Sequence, residues 1–112
     1  MTIDLRTSNG VTIVDLQGKV TIEVTAQLRR TIADLLEADR NNILLNLGEV
    51  SFMDSSGIGE LVRSYHSVKR AGGNVKLLHL TKRIQELLAI TKLVTIFESF
   101  DEESEALASF SP

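Results

Sequence analysis

Two adjacent serines beside an aspartate are the residues of this chain best suited to chemistry. Asp54, Ser55 and Ser56 precede Gly57-Ile58-Gly59, after which an amphipathic run begins. This pattern places the serines at the start of a helix, just beyond an apolar strand predicted over residues 42–47. First-turn amides of a helix lack intrahelical partners, and the helix dipole favours an anion such as a phosphate there. The segment therefore has the layout of a modifiable serine site.

The same segment has a structural interpretation as a helix cap. An Asp54 or Ser55 oxygen would accept a hydrogen bond from a first-turn amide, which stabilises a helix by about 1 kcal/mol. One cap explains one of the three polar groups, and each glycine costs a helix about 1 kcal/mol against alanine. The glycines also leave the serine hydroxyls open to a large partner. On the residues alone, a helix cap and a functional site remain equal alternatives.

Other kinds of site find less support. His66 and His79 are isolated from the ligand clusters that metals require. Gly57-Ile58-Gly59 lacks the third glycine of a dinucleotide fingerprint and the Lys-Ser/Thr of a phosphate clamp. Position 54 is Asp, so the nucleophile elbow Gly-x-Ser-x-Gly is absent. We therefore expect no catalytic residue, no metal and no cofactor.

Composition narrows the class of protein. A chain of 112 residues, 43% apolar and 24% charged, predicts a single folded domain over residues 1–112. Cysteine is absent, the N-terminus lacks signal-peptide features, and no apolar run approaches the roughly 20 residues that span a bilayer. These features predict a cytoplasmic protein without membrane insertion. The formal net charge of −3 and the scarcity of aromatic residues argue against nucleic-acid binding.

Hydrophobic periodicity predicts the element order ββαβαβαβα with about four helices. Strand–helix alternation implies parallel strands joined by right-handed crossovers, and an N-terminal hairpin makes the α/β sheet mixed. The predicted elements are a hairpin turning at Ser8-Asn9-Gly10, a helix capped by Thr25, the strand over 42–47, a helix from Ser56 to Ala71 ended by Gly72-Gly73, a strand over 75–80, a helix capped by Thr81, a short strand at Thr95-Ile96-Phe97, and a last helix with Ala106, Leu107 and Phe110 packed inward.

The stretch from Phe52 to Gly59 closely resembles the signature of STAS domains, specifically of bacterial anti-sigma factor antagonists. Further similar segments lie at 18–20, 43–50, 73–77 and 84–88, so the resemblance covers nearly the whole chain. It implies a single STAS-like domain and a partner-switching cycle. The unmodified protein would bind an anti-sigma factor with serine kinase activity and so release the sigma factor. Phosphorylation by that kinase would end the binding, and a PPM-type phosphatase would restore it.

The resemblance also assigns site residues. The serine before the first glycine, Ser56, is the implied phosphorylation target, and Ser55 is the second candidate. Many family members are acidic where this chain has Asn46, and others are acidic at the position of Thr21, near the phosphorylation loop. The implied partner-binding residues are Asp54, Ser55, Ser56, Gly57, Ile58 and Gly59, with Thr21 and Asn46 as secondary candidates.

Charge around Ser56 predicts how a phosphate would behave. Asp54 and Glu60 are expected to be close like charges, and no basic residue lies within six positions of Ser56. A phosphate should therefore project outward as an unpaired negative group. Arg63, Ser64 and Ser67 are expected to be exposed at the border of the contact surface.

Three rival functions remain open. The chain could serve as a STAS module in another assembly, such as a stress-sensing complex or a lipid-transport accessory subunit. It could be a weak nucleotide- or ligand-binding regulator. A serine hydrolase is the third alternative, and it would need a histidine base beside the serine.

Overall fold

A mixed five-stranded sheet with four helices forms the described part of the chain, in a computed structural model that describes residues 1–110. The strands lie in the order β1-β2-β3-β4-β5; β1 and β2 are antiparallel, and the other neighbours are parallel. The predicted α/β fold and element order are confirmed, and the last two residues of the predicted domain 1–112 lie outside the described range. The elements are β1 Thr2–Ser8, β2 Val11–Val20, α1 Thr25–Glu37, β3 Asn42–Met53, α2 Ser55–Arg70, β4 Asn74–Leu78, α3 Lys82–Ile90, β5 Ser99–Phe100 and α4 Glu103–Ala108.

The hydrophobic core has two parts, one on each face of the sheet. Helices α1, α2 and α3 cover the larger part, where Leu28, Leu61 and Ile84 are buried against the strands. Helix α4 covers the smaller part through Ala106. Because β3 lies between these layers, its apolar run at 43–45 is fully buried.

Strand β3 is six residues longer than the sequence predicts. It pairs with β2 as far as Val20 opposite Met53. Two register shifts in β2 keep the strands paired, and Gly18 adopts a positive φ of 98° beside one of them. A glycine bulge bends a strand and lets it follow a curved neighbour. The predicted end of β3 at Leu47 is therefore wrong, because the residues after Gly48 continue the ladder with β2 beyond the uninterrupted apolar run.

The caps predicted at Thr25 and Thr81 have different outcomes. Thr81 accepts a hydrogen bond from the Ile84 amide at 3.2 Å, which confirms the predicted cap of α3. The predicted cap at Thr25 is wrong, since Val24 precedes α1 and makes no side-chain cap. The buried Thr25 hydroxyl instead donates to the Ile22 carbonyl at 3.2 Å.

The predicted strand at Thr95-Ile96-Phe97 is wrong, and β5 lies further along at Ser99–Phe100. The Ile96 amide donates to the Leu93 carbonyl at 3.0 Å and so closes a turn. Phe97 is buried in the larger core cluster. Ile96 and Phe97 pack into the core beneath the sheet, and the two residues Ser99 and Phe100 pair with β4.

Candidate functional site

The serine pair lies where β3 passes into α2, at the carboxyl edge of the sheet. The Asp54 amide contacts the Val20 carbonyl at 3.4 Å, directly after the last β2–β3 pair. Thr21 follows Val20 at the end of the neighbouring strand. The structure therefore brings the β2–α1 connection, including Thr21, next to the segment Asp54–Gly59.

Asp54 caps α2. Its backbone is extended, and its Oδ1 accepts hydrogen bonds from the amides of Ser56 at 2.9 Å and Gly57 at 3.1 Å. The Ile58 amide is bonded to the Asp54 carbonyl at 3.2 Å. The cap interpretation is thus correct for Asp54. It also means that a carboxylate already occupies the position at which the helix start would hold an anion.

The two serine hydroxyls differ in exposure. Ser55 is exposed, and Ser56 is half-buried. Within residues 1–110, neither hydroxyl makes a hydrogen bond to another protein group. The serine side chains therefore contribute nothing to capping α2, and they are available to a partner.

The two glycines of the segment have different roles. A Cβ atom at Gly57 would lie 2.5 Å from Met53 Cγ and 2.9 Å from the Val20 carbonyl oxygen. Gly57 is therefore required for α2 to approach the end of β2. A Cβ at Gly59 would meet nothing within 4 Å. The fold does not require Gly59, and its surroundings are open to a docking protein.

Glu60 on α2 is buried and paired with a cation of α1. Its side chain is 2% exposed, and Oε1 accepts hydrogen bonds from Arg29 Nη2 at 2.8 Å and Arg29 Nε at 3.2 Å. Arg63 Nε lies 3.7 Å from the same oxygen. The hydrogen bond to Glu60 raises the pKa of Arg29 above its usual range. The sequence predicts that Glu60 is a like charge close to a phosphate on Ser56; in the structure this carboxylate is paired with Arg29, so its charge is largely compensated.

Ser64 lies one turn after Glu60 and is also buried. It is 2% exposed, so the expectation that it borders a contact surface is wrong, whereas Arg63 is exposed and Ser67 half-buried. Within the described chain, Glu60 Oε2 and Ser64 Oγ have no hydrogen-bond partner. Both residues line a cavity of about 110 Å³ between α1 and α2.

Asn46 lies away from the serines. Its Nδ2 donates to Asp15 Oδ1 at 2.7 Å, and its Oδ1 accepts from the Gly48 amide at 3.1 Å. It pairs with Asp15 on β2, five residues before Val20, which places it roughly 17 Å from the carboxyl edge along the sheet. The structure therefore does not group Asn46 with Asp54–Gly59.

Asp15 belongs to a polar cluster that joins the N-terminal hairpin to α4. Arg6 Nε donates to Asp15 at 2.6 Å, and Arg6 Nη2 contacts Glu103 at 2.8 Å. The hydrogen bond from the Arg6 guanidinium holds the pKa of Asp15 below its usual range, against an opposing effect of burial. The Asn46 hydrogen bond acts in the same direction as Arg6.

Two exposed apolar side chains beside the site were missed by sequence reasoning. Ile22 is 70% exposed in the β2–α1 connection, and Phe52 is 45% exposed near the end of β3. Periodicity treats large apolar residues as core, so it gives no reason to single them out. Their positions next to Thr21 and Met53 are the signal that could have identified them.

Neither histidine lies in a recognisable reactive cluster. His66 is exposed on α2, and His79 is exposed after β4 with its Cβ close to Gly48. Among residues 1–110, no three His, Asp or Glu side chains are grouped as metal ligands. Over the same range, no helix has the length and apolar character needed to cross a membrane.

The structure defines a small α/β domain whose mixed sheet has three helices on one face. Its serine pair begins the second helix, which is capped by Asp54, at the carboxyl edge of the sheet. The family model of the STAS domain matches residues 2–106. The chain belongs to the STAS domain family.

The chain is similar in sequence to an anti-sigma factor antagonist and in fold to several solved structures. The anti-sigma-B factor antagonist of Bacillus subtilis is 30% identical over 96 residues, covering 86% of this chain and 87% of the relative. The Thermotoga maritima protein TM1081 superposes with a TM-score of 0.90 at 25% identity, covering 96% of this chain and 93% of that one. Bacillus SpoIIAA in its phosphorylated form gives a TM-score of 0.77 at 20% identity, covering 98% and 100%.

Proposed function

We propose that this chain is a phosphorylation-switched anti-sigma factor antagonist. In its unmodified form it binds an anti-sigma factor that is also a serine kinase, and the sigma factor is released. The kinase phosphorylates Ser56, or Ser55 as the second candidate, and binding ends. A PPM-type phosphatase removes the phosphate. The chain itself acts in the cytoplasm by binding, without catalysis.

The observation that carries this proposal is the serine pair at the start of α2, whose hydroxyls make no hydrogen bond to protein groups of residues 1–110. Asp54 alone supplies the side-chain cap of α2, so the fold does not use Ser55 or Ser56 for that purpose. The similarity to the Bacillus subtilis anti-sigma-B factor antagonist over 96 residues supports the choice of partner class.

Electrostatics explains how a phosphate would act as a switch. Phosphorylation adds about −1.5 to −2 charges and three acceptor oxygens. At Ser56 this group would meet the Asp54 carboxylate, which already occupies the first-turn amides. The phosphate would therefore project outward against a docked protein. Like-charge contact at an interface costs several kcal/mol, and a near-complete switch needs about 5.5 kcal/mol.

The proposed contact surface consists of Asp54–Gly59 with the neighbouring Thr21, Ile22 and Phe52. Exposed apolar residues at the centre of a polar surface are typical binding anchors. Asn46 is a more distant candidate, and it would act through its hydrogen bond to Asp15.

The domain should remain folded when it is phosphorylated. SpoIIAA has been solved in unphosphorylated and phosphorylated forms, which superpose on this chain with TM-scores of 0.75 and 0.77. This supports a switch that works at the surface, without unfolding of the sheet.

Incubation with the candidate kinase and ATP, followed by peptide mapping, tests the proposal. We expect one phosphate on the wild type, none on Ser56→Ala, and normal modification of Ser55→Ala. Phosphate on Ser55 in the wild type would move the site to the second candidate. Absence of modification, together with capture of a transporter ATPase from native lysate, would favour the role as a module of another assembly.

A further inference from the structure

The outer face of α2 carries positive charge from Arg63 to Arg70, beyond the serine pair that begins the helix. A shallow groove of about 650 Å³ runs along the helix. We call this surface the basic face; its lining residues are Gly59, Val62, Arg63, His66, Lys69 and Arg70. They recur at spacings of three and four, which places them on one side of the helix. Ser55 precedes Gly59 by four residues and so belongs to the same side.

The charge of the basic face is one-sided. Arg63, Lys69 and Arg70 are exposed, and the lining residues include no carboxylate. Lys69 Nζ is bonded to the neutral Asn74 amide oxygen at 2.9 Å, so its charge is not neutralised. Arg63 is 3.7 Å from Glu60, but that carboxylate is buried and bonded to Arg29.

This concentration of cations contrasts with the rest of the protein. The formal net charge of the chain is −3, so the remaining surface is clearly acidic. Oppositely charged surfaces steer association and fix the orientation of two proteins. A face with this charge and shape therefore suits an acidic protein segment.

We infer that the basic face binds an acidic segment of the partner kinase, the protein that also engages Ser56. This inference rests on the proposed function and adds the chemistry of the partner surface. It also explains why phosphorylation releases the partner. Ser56 precedes Gly59, the first lining residue of the groove, by three residues, or about 5 Å along the helix, which is within the Debye length of about 8 Å at physiological salt. A phosphate at one end of the groove would repel the acidic segment seated in it.

Charge reversal on the basic face tests the inference. The test variant is Arg63→Glu/Lys69→Glu/Arg70→Glu. The control is Arg30→Glu/Arg40→Glu/Lys92→Glu, which changes the net charge equally at exposed positions outside the groove. A milder variant with Gln at positions 63, 69 and 70 guards against loss of folding in the reversed form. Circular dichroism and urea denaturation confirm that each variant folds.

Each unphosphorylated variant is titrated with the candidate kinase at several salt concentrations. We expect the reversed face to weaken binding at least 100-fold, the Gln variant about tenfold, and the control less than threefold. Variants with fewer positive charges on the basic face should also show a weaker dependence of the association rate on salt concentration.

Three outcomes would overturn the inference. Equal affinity of the reversed and control variants would show that the face is not an interface, with the proposed function intact. Undiminished kinase binding together with loss of heparin or DNA binding would assign the face to a nucleic acid or another polyanion. Failure of the wild type to bind the kinase would remove both the inference and the proposed function.

Discussion

The guanidinium of Arg29 on α1 binds the buried carboxylate of Glu60 on α2, across 31 residues of sequence. Arg29 is half-exposed, whereas the Glu60 side chain is 2% exposed. Glu60 lies four residues after Ser56 on the same helix. The pair therefore ties the helix that carries the serines to its neighbour.

Removal of Arg29 should destabilise the domain more than removal of the whole pair. Arg29→Met leaves the Glu60 carboxylate buried without its main partner, whereas Arg29→Met/Glu60→Leu replaces both groups by apolar ones. Urea denaturation should give the lowest midpoint for the single variant, with the double variant closer to wild type. A single variant as stable as the wild type would show that the ion pair contributes nothing measurable.

Loss of the Asp54 cap should lower the stability of the domain. Asp54→Ala removes the acceptor of the Ser56 and Gly57 amide hydrogen bonds, and it should lower the free energy of unfolding by about 1 kcal/mol. Asp54→Asn keeps a capping oxygen and should change it by only a few tenths of a kcal/mol. An equal loss in both variants would mean that the carboxylate charge, and not the cap, stabilises the helix.

The two glycines should respond in opposite ways to alanine. Gly59→Ala adds a methyl group in open space and should stabilise the helix by about 1 kcal/mol. Gly57→Ala meets Met53 and the Val20 carbonyl and should destabilise the protein by about 1–3 kcal/mol. Thermal and urea denaturation of the two variants measure this difference.

The same glycine variant separates stability from binding. Gly59 lies one turn after Ser55, within the proposed contact surface. We expect Gly59→Ala to bind the kinase more weakly than wild type although it is more stable. Unchanged kinase affinity would show that the partner does not approach α2 at Gly59.

Asp15 should make stability depend on pH in the acidic range. Its pKa is lowered in the folded state, chiefly by Arg6, relative to a usual value of about 4. Between the folded and unfolded pKa values the unfolded chain binds more protons, so this contribution is present above about pH 4 and is lost as the pH falls through the folded pKa. The stability difference between wild type and Asp15→Asn should shrink between pH 6 and pH 3, as measured by urea denaturation.

Arg6→Gln provides the control for that pH dependence. Arg6 is the main cause of the lowered pKa of Asp15. In the Arg6→Gln background, the stability difference caused by Asp15→Asn should therefore vary less with pH. A pH profile that is identical with and without Arg6 would contradict the role of this ion pair.

Elements with strong patterns were predictable from the sequence. The Asn9-Gly10 turn forms the predicted hairpin, and α2 ends at Arg70, just before Gly72-Gly73. Turn glycines and helical periodicity act locally, so they can be recognised without the tertiary structure. The same is true of Thr81, whose hydroxyl caps the adjacent helix.

Features that depend on distant residues were not predictable. The continuation of β3 to Met53 depends on bulges in β2, and the burial of Glu60 and Ser64 depends on packing against α1. The sequence suggests that Glu60 is a surface charge near Ser56, because Arg29 is 31 residues away. The serine site was found because its residues are contiguous, whereas Ile22 is joined to it only by the folding of β2 beside β3.

A phosphate on Ser56 should abolish kinase binding while leaving the fold intact. Isothermal titration calorimetry of the kinase with unmodified, phospho-Ser56 and Ser56→Asp proteins tests it directly, with circular dichroism as the control for folding. We predict that the phosphorylated protein loses nearly all affinity, that Ser56→Asp loses part of it because it adds one charge and little bulk, and that all three remain folded. Undiminished affinity of the phospho-Ser56 protein would show that phosphorylation of this serine is not the switch.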